Sequence, residues 1–425
     1  MIDSFINSLT NNEKHPQSGK YSLDNITKLL EYFGNPQNKI KFIHVAGTNG
    51  KGSICLMIAS IFETAGYSTG LYTSPHLLKV NERIRINQNN ISDEDFTYYL
   101  NLIKNKIDEN SIAPTYFDVL TVVSILYFAD ENIDIAVMET GLGGRLDSTN
   151  IITPLCSVIT DISFDHEEIL GHTLEEITFE KCGIIKKNIP VVTTNSNKSV
   201  ISIIQKRCAE LNSDFFIYES DFIGGNIELS RSAITFDFYD KKNNYRIDSL
   251  EITHPGEFQI KNACSAVFIS MLFKKKYPLI TDTVISKALK NLKLKGRFEK
   301  ISDNPIIFFD PAHNIDAVKN IINILGKNWN SFNIHIIFSL MADKNIYNIT
   351  EILSEKFHNL LYYKLDDPRC FSPDEKWRNE TGIEIISEKT KLAEYIACKN
   401  SAHSLFFFTG SFRLYKIAME IATEL

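Results

Sequence analysis

Lys51 and Ser53 stand two positions apart in the stretch Phe42-Ile-His-Val-Ala-Gly-Thr-Asn-Gly-Lys-Gly-Ser53. An ammonium and a hydroxyl set among glycines are suited to holding a polyphosphate. Gly47, Gly50 and Gly52, with Thr48 and Asn49 between them, let backbone N–H groups turn inward on an anion. A helix starting here adds its positive end. In that arrangement Lys51 reaches the outer phosphates and Ser53 faces a magnesium ion. The elements that would position these residues are legible on either side. Phe42 to Ala46 reads as a short buried strand, and Ile54 to Ala65 carries apolar residues at helical spacing. A strict phosphate loop has a glycine where this chain has Val45, so the generic pattern is not met. A plain glycine-rich turn is the alternative on this stretch alone.

Four more side chains could join such a site. Glu139 ends the apolar run from Ile133, and the glycine-dense loop Thr140 to Asn150 follows it. A carboxylate at the carboxyl end of a strand, on the edge that carries a phosphate loop, is placed to hold Mg2+. That ion takes hard oxygen ligands, usually one or two carboxylates with phosphate oxygens and water. A strand-terminal glutamate in a salt bridge is the plainer alternative. His166, in Asp165-His166-Glu167 behind a strand from Leu155 to Thr160, reads as a ligand or as a hydrogen-bonded surface turn. Lys181, on a helix from Leu174, has Glu176 and Glu180 as ordinary ion-pair partners. Ser74 lies ahead of Pro75 in a stretch, Ser74 to Asn90, that reads as long and irregular, and long loops inside compact domains are usually functional.

The whole chain has 425 residues, 44% hydrophobic and 23% charged, which is ordinary for a soluble protein and too long for one compact core. A net charge of −7 leaves no basic footprint for nucleic acid. The seven cysteines include no C-x-x-C pair; Cys55, Cys156, Cys182 and Cys264 sit among apolar residues, as reduced thiols of a reducing compartment do. Met1 to Asn12 lacks the pattern of a secretory signal, and the longest nearly apolar run, Ala263 to Phe273, is too short to span a bilayer. A cytoplasmic protein without membrane or nucleic-acid partners is expected.

In chain order, two short helices fill residues 1 to 40. Strands and helices then alternate through the phosphate loop, Thr69 to Tyr72, a helix capped by Ser92, and a helix from Phe117 to Phe128. Phe215 to Tyr218, Ala233 to Phe238 and Tyr245 to Leu250 read as a β-rich meander. Pro255-Gly256 opens a buried helix containing Asn262, and Leu292 to Glu299 reads as a linker. Beyond it strand and helix alternate again from Pro305 to Phe408, the signature of a second parallel sheet. Asp310-Pro-Ala-His313-Asn314 and Thr409-Gly-Ser411 fall at carboxyl ends of its strands, where open α/β sheets bind ligands.

The string Gly47-Thr-Asn-Gly-Lys-Gly-Ser53 resembles the variant loop of the amide-forming ligases that include the Mur ligases, and most of all their folate branch, the folylpolyglutamate and dihydrofolate synthases. Ser74-Pro-His, Asn81-Glu-Arg-Ile-Arg85, Asp165-His166, Glu180-Lys-Cys-Gly183, Pro255-Gly256 to Asn262, Gly296-Arg-Phe-Glu299, Asp310-Pro-Ala-His-Asn314, Ala342-Asp-Lys344 and Thr409-Gly-Ser411 are similar to that family's strings and occur in its order, from about Gly34 to Phe412. Cys182 stands where the family usually has alanine, and Pro311 where it typically has glycine.

The resemblance implies an α/β protein: an N-terminal P-loop mononucleotide-binding domain, residues 1–295, and a C-terminal Rossmann-like domain, residues 296–425, with the active site in the cleft between them. It implies ATP-driven amide formation on a folate, with dihydropteroate left open as a second acceptor, L-glutamate as the incoming amine, and a monomer. Lys51 and the loop amides take the phosphates; Ser53, Ser74 and Glu139 surround a first Mg2+; His166 and Lys181 hold a second, the lysine being carbamylated in that family. Asn262, Arg297 and Asp310 bind nucleotide. The pterin side lies near Thr115, Tyr116, Phe117 and Asp118 and near Leu146, Asp147 and Ser148, with His313 and Ser411 on glutamate or phosphate. A Mur ligase with a UDP-linked substrate is the nearest alternative; that group carries a whole domain ahead of the loop, where this chain has about 40 residues, and a Gly-Lys-Thr type loop. A nucleotide-binding module without catalysis is the alternative of another class.

Overall fold

A computed structural model describes residues 5, 6, 8–10 and 21–425. The chain divides into two compact units: Met1–Glu228 with Thr235–Ile252 and Gln259–Leu292, and Leu229–Ile234 with Thr253–Phe258 and Lys293–Leu425. The first of the two short helices expected ahead of the phosphate loop falls mostly outside the described residues; the second is Asp24–Tyr32. Among the described residues no helix is long and apolar enough to cross a membrane.

The first unit is built on eight strands: β1 Phe42–Ala46, β2 Thr69–Tyr72, β3 Ile84–Ile86, β4 Asn89–Asn90, β5 Ile135–Glu139, β6 Cys156–Ile159, β7 Val191–Thr193 and β8 Phe215–Ile217. Their order is β4-β3-β2-β5-β1-β6-β7-β8, parallel from β2 to β8. Every residue of β1 and β5 is buried, which explains runs that are apolar rather than alternating: both faces of a parallel sheet are covered. Burying a Val, Ile or Phe fully contributes about 1.5–3 kcal/mol relative to leaving it exposed. One face is closed by the helices Asp24–Tyr32, Asp93–Asn110 and Tyr116–Asp130, whose core includes Leu29, Leu100, Val123 and Phe128. A separate cluster at the β6–β7 end joins Ile159 and Val191 to Ile177, Ile184 and Ile204.

Two expectations are corrected here. Residues 74–90 are not an irregular loop throughout: Val80–Arg83 form a 3-10 turn, and β3 and β4 make a hairpin whose first strand pairs antiparallel with β2. Asn87 and Gln88 both take positive φ, +48° and +66°, as the two-residue turn that matches strand twist requires. Phe215 to Ile217 joins the main sheet parallel to β7 through the crossover helix Lys198–Glu210. The meander consists instead of β9 Phe222–Leu229, β10 Ile234–Asp240 and β11 Tyr245–Ile252. Gly224 and Gly225 disguise β9 as a turn; a Cβ on Gly224 would come within 2.5 Å of the Ile260 side chain.

In the second unit β12 Glu299–Asp303, β13 Ile306–Asp310, β14 Asn333–Phe338, β15 Asn359–Tyr363, β16 Glu384–Ile386 and β17 Ser404–Thr409 are ordered β12-β13-β17-β14-β15-β16. All pair in parallel except β12, an antiparallel edge too charged to read as a strand beforehand. Phe298, Phe308, Trp329, Phe338, Tyr362 and Trp377 fill its core.

Candidate active site

β1 lies between β5 and β6, and the loops leaving the carboxyl ends of all three strands meet there. Gly47 starts the first loop with φ +153°, and a Cβ on it would stand 1.7 Å from Thr160 Oγ1. Only glycine fits. Gly50 takes φ +92°, and a Cβ there would meet Asn262 Oδ1 at 2.8 Å, so glycine also lets the helix Phe258–Leu272 approach. The helix Lys51–Thr64 begins at once, aiming its N-terminus along the loop. Thr48 N and Asn49 N donate to Asp161 O at 2.8 and 3.2 Å, and Thr48 Oγ1 donates to Ser163 O, which fixes the loop against the segment after β6.

Two lysines converge on one carbonyl. Lys51 Nζ donates to Gly47 O at 3.0 Å and Thr48 O at 3.3 Å; Lys181 Nζ reaches the same Gly47 O at 2.9 Å. Lys181 is 4% exposed. Burial first, and the Lys51 charge second, push its ammonium down to about 7, against the opposing pull of Asp165 and Asp147. The expected alternative of an ion pair with Glu176 or Glu180 does not hold: Glu176 accepts from Thr173 and His172 at the helix start, and Glu180 pairs with Arg145 at 2.9 Å.

Glu139, 3% exposed, closes β5 and accepts from Ser74 N at 3.1 Å, which brings the Ser74-Pro75 turn to its carboxylate. Ser53 is buried, and its hydroxyl accepts from Gln259 Nε2 at 3.2 Å; Asn262 Nδ2 in turn donates to Gln259 Oε1 at 2.8 Å. Thr140 Oγ1 and Thr160 Oγ1, the residues after β5 and β6, are buried polar atoms without a hydrogen-bond partner. His166 sits at φ +51° with Nε2 3.9 Å from Asp165 Oδ2 and about a third of its side chain exposed. No group of three or more His, Cys, Asp or Glu side chains gathers into a metal site among the described residues. A cation here would therefore rely on Glu139 and hydroxyl oxygens plus oxygens from a phosphate and water, a hard-oxygen donor set of the kind that suits Mg2+, Ca2+ or Mn2+ rather than softer metals.

The loop after Glu139 is packed tightly. Phe117 lies against Gly141, where a Cβ would be 2.6 Å from the ring. Gly144 passes the Lys181 and Glu180 carbonyls with room for no Cβ, and Arg145 N donates to Glu180 O at 2.7 Å. Asp147 accepts from Leu142 N, Thr149 N and Thr149 Oγ1; Ser148 Oγ donates to Asp118 Oδ1 at 2.5 Å. Asp118 and Thr115 form the capping box of the helix Tyr116–Asp130, which also carries Phe117. Thr115, Tyr116, Phe117, Asp118, Asp147 and Ser148 are thus brought together with Leu146 between them in sequence. Burial raises the carboxyls of Asp118 and Asp147, opposed by these hydrogen bonds.

In the second unit Asp310, buried at the end of β13, accepts from Phe298 N at 2.9 Å and Ala312 N at 3.0 Å. Arg297 lies 5.1 Å over the Phe412 ring. His313 Nδ1 is 2.8 Å from Pro311 O, and Ser411 Oγ accepts from Arg413 N at 3.3 Å. Sequence reasoning passed over Asp161, whose carbonyl holds the phosphate loop and whose carboxylate pairs with Lys261, and Gln259, which holds Ser53. Asp161 lies one residue beyond the expected strand end, a position that could have flagged it. Nothing in the sequence marked Gln259.

A glycine loop at a topological switch point, two lysines on one loop carbonyl and a buried strand-end glutamate make a phosphate-loop α/β site. Residues 45–270 match the family model of the Mur ligase middle domain. The chain is 32% identical over 400 residues to the dihydrofolate synthase/folylpolyglutamate synthase of Bacillus subtilis (strain 168), covering 92% of this chain and 93% of that protein. It superposes on the apo form of the Lacticaseibacillus casei enzyme, named "L. casei FPGS", with a TM-score of 0.86 and 27% identity over 100% of this chain and 98% of that one. An FPGS–AMPPCP–folate complex gives 0.85 and 29% with the same coverage. The chain belongs to the folylpolyglutamate synthase/dihydrofolate synthase family of the Mur ligases.

Proposed function

We propose that this protein is an ATP-dependent ligase that adds L-glutamate to the carboxylate of a folate through an acyl phosphate. The observation that carries the reading is the convergence of Lys51 and Lys181 on the Gly47 carbonyl, beside a loop whose glycines leave room for nothing else. A carboxylate is a poor acyl donor, so its oxygen first attacks the γ-phosphorus, ADP departs, and an acyl phosphate forms. The glutamate amine then attacks the acyl carbon, inorganic phosphate leaves with the electron pair of the broken C–O bond, and the amine sheds its proton. Positioning and charge neutralisation are the protein's share of this chemistry.

Lys51 and the amides of residues 47–53 take the phosphates. Ser53, Ser74 and Glu139 would hold a first Mg2+, and His166 with Lys181 a second; such ions neutralise charge on the transferring phosphoryl group. Lys181 is suited to carbamylation because burial lowers its ammonium to about 7, so that a large share of the amine is unprotonated near neutrality. The nitrogen lone pair attacks CO2, a proton is released, and the remaining N–H can still donate to Gly47 O. By the family resemblance Asn262, Arg297 and Asp310 are nucleotide contacts, and His313 and Ser411 contacts to glutamate or phosphate. The acceptor lies against Thr115 to Asp118 and Leu146 to Ser148. The protein acts as a cytoplasmic monomer on ATP, L-glutamate and a folate or dihydropteroate, without nucleic acid or membrane partners.

The test is phosphate release from ATP with Mg2+ and glutamate, given dihydropteroate in one reaction and tetrahydrofolate in another. Turnover with both means a bifunctional synthase; with tetrahydrofolate alone, a polyglutamylating enzyme only. Turnover with neither overturns the folate reading in favour of another carboxylate.

A further inference from the structure

His44 lies in the middle of β1, 0% exposed, where its neighbours in sequence are all apolar. Burying an imidazole costs free energy unless it is hydrogen-bonded, so a histidine here needs a reason. Its Nε2 is 2.8 Å from Thr149 Oγ1. That hydroxyl has one proton, and Thr149 Oγ1 stands 2.5 Å from Asp147 Oδ1, an oxygen that also accepts from Thr149 N at 3.0 Å. The carboxylate oxygen is the acceptor, so the hydroxyl proton is committed to it. Thr149 Oγ1 must then accept from His44, which fixes the histidine as its neutral Nε2–H tautomer with Nδ1 bare; Nδ1 is indeed a buried atom without a partner. Burial, reinforced by the Lys186 charge, pushes the imidazole down to about 3, so it stays neutral at any working pH.

The relay His44 → Thr149 → Asp147 runs from the strand that carries the phosphate loop to the loop that follows Glu139. Asp147 spends its other oxygen on Leu142 N at 2.8 Å, closing the loop on itself. The adjacent Ser148 Oγ is tied to Asp118, and Asp118 to Thr115 N at 2.8 Å. Residues 147–149 are thereby pinned at both ends, to β1 on one side and to the start of the helix Tyr116–Asp130 on the other.

We infer that His44 is a positioning residue that sets the acceptor loop: it touches neither phosphate nor acceptor, and acts by fixing Thr149 and Asp147 so that Leu146 and Ser148 present one surface to the pterin-bearing substrate. This rests on the acceptor reading of Leu146 and Ser148 given above. It also reassigns Asp147, whose carboxylate is consumed inside the loop, from substrate contact to framework.

His44→Leu and Thr149→Val each remove one link, while His44→Gln keeps an N–H donor and Thr149→Ser keeps the hydroxyl. With whichever acceptor the unaltered enzyme uses, His44→Leu and Thr149→Val are expected to raise acceptor KM about tenfold each, the scale of one buried hydrogen bond broken on one side. The double variant should be no worse than either single one, because the two links are in series. The Gln and Ser variants should recover most of the loss, and affinity for AMPPCP should stay within about twofold. Additive losses, or an equal fall in AMPPCP affinity, would mean a general packing role for β1 and overturn the inference. Hydrogen exchange of the free protein separates this from the acceptor reading: in His44→Leu the amides of Leu142 and Thr149 should exchange faster while those of residues 51–53 do not. Unchanged exchange in a folded His44→Leu sinks the relay, whatever the acceptor proves to be. Faster exchange without turnover of either folate acceptor retains the relay and discards the folate reading.

Discussion

At the carboxyl edge of the first sheet Lys181 and Glu139 are each at most 4% exposed, and Lys181 donates to a carbonyl rather than to a carboxylate. At the carboxyl edge of the second sheet the polar groups are tied to their own surroundings. Asp310 takes two backbone amides, Arg297 lies over Phe412, and His313 turns onto the Pro311 carbonyl. The first edge therefore holds charge in a poised, costly state that an incoming polyphosphate or cation would relieve. The second holds groups already settled before any ligand arrives. Substitutions at the first edge should abolish chemistry, and those at the second should mostly weaken binding.

The sharpest way to break that contrast is Glu139→Gln, which keeps shape and removes the buried charge. On the scale of losing a preorganised electrostatic group, kcat should fall about 100-fold or more with little change in folding, read by phosphate release and by thermal melting. A mild effect would show that Glu139 is only a structural partner of Ser74. Gly47→Ala comes next. Its Cβ would collide with Thr160 Oγ1 at 1.7 Å, so AMPPCP affinity should drop at least about tenfold and the melting temperature should fall by several degrees, for roughly 2 kcal/mol of strain.

Lys181 sharpens the comparison through pH. Its folded value, about 7, lies below that of an unfolded lysine. The stability penalty is thus complete below pH 7 and fades as pH rises toward the unfolded value, because in that window only the unfolded chain holds the extra proton. Denaturant midpoints of the unaltered protein should gain on those of Lys181→Met between about pH 7 and 10. Activity should also fall below pH 7 and recover with added bicarbonate, since a protonated amine cannot take up CO2. The smallest effect is expected at the second edge. Phe412→Ala removes the ring under Arg297, worth about 0.5–1 kcal/mol, so KM for ATP should rise only about two- to fivefold with kcat kept. A large loss of kcat there would dissolve the contrast between the edges.

The elements that carry the first edge could be read directly. β1, β5 and β6 are buried on both faces and announce themselves as mostly apolar runs, interrupted only by His44 in β1, Ser157 in β6 and the terminal Glu139 of β5, and Gly47 to Ser53 keeps its meaning because a loop that needs φ of +153° and +92° can be written only with glycine. Cys55, Cys156, Cys182 and Cys264 are buried, as their apolar neighbours suggested, while Cys398 is exposed. What escaped were elements whose partners are distant. β9 hid behind a glycine pair, Gly224 packing against Ile260 and Gly225 against Tyr239, and the charged β12 went unread between the expected linker and the strand from Pro305 because an edge strand needs only one apolar face.

Sequence alone therefore determined the α/β class, the phosphate loop and the list of groups able to do chemistry, since strand burial and glycine torsions are local properties of the chain. Tertiary structure alone decided that Lys181 meets Lys51 on one carbonyl, that Asp161 and Gln259 brace the loop, and that His44 reaches Thr149 across 105 positions of sequence. Hydrogen bonds and desolvation act through space, and which distant residues they join is settled only when the strands take their order in the sheet.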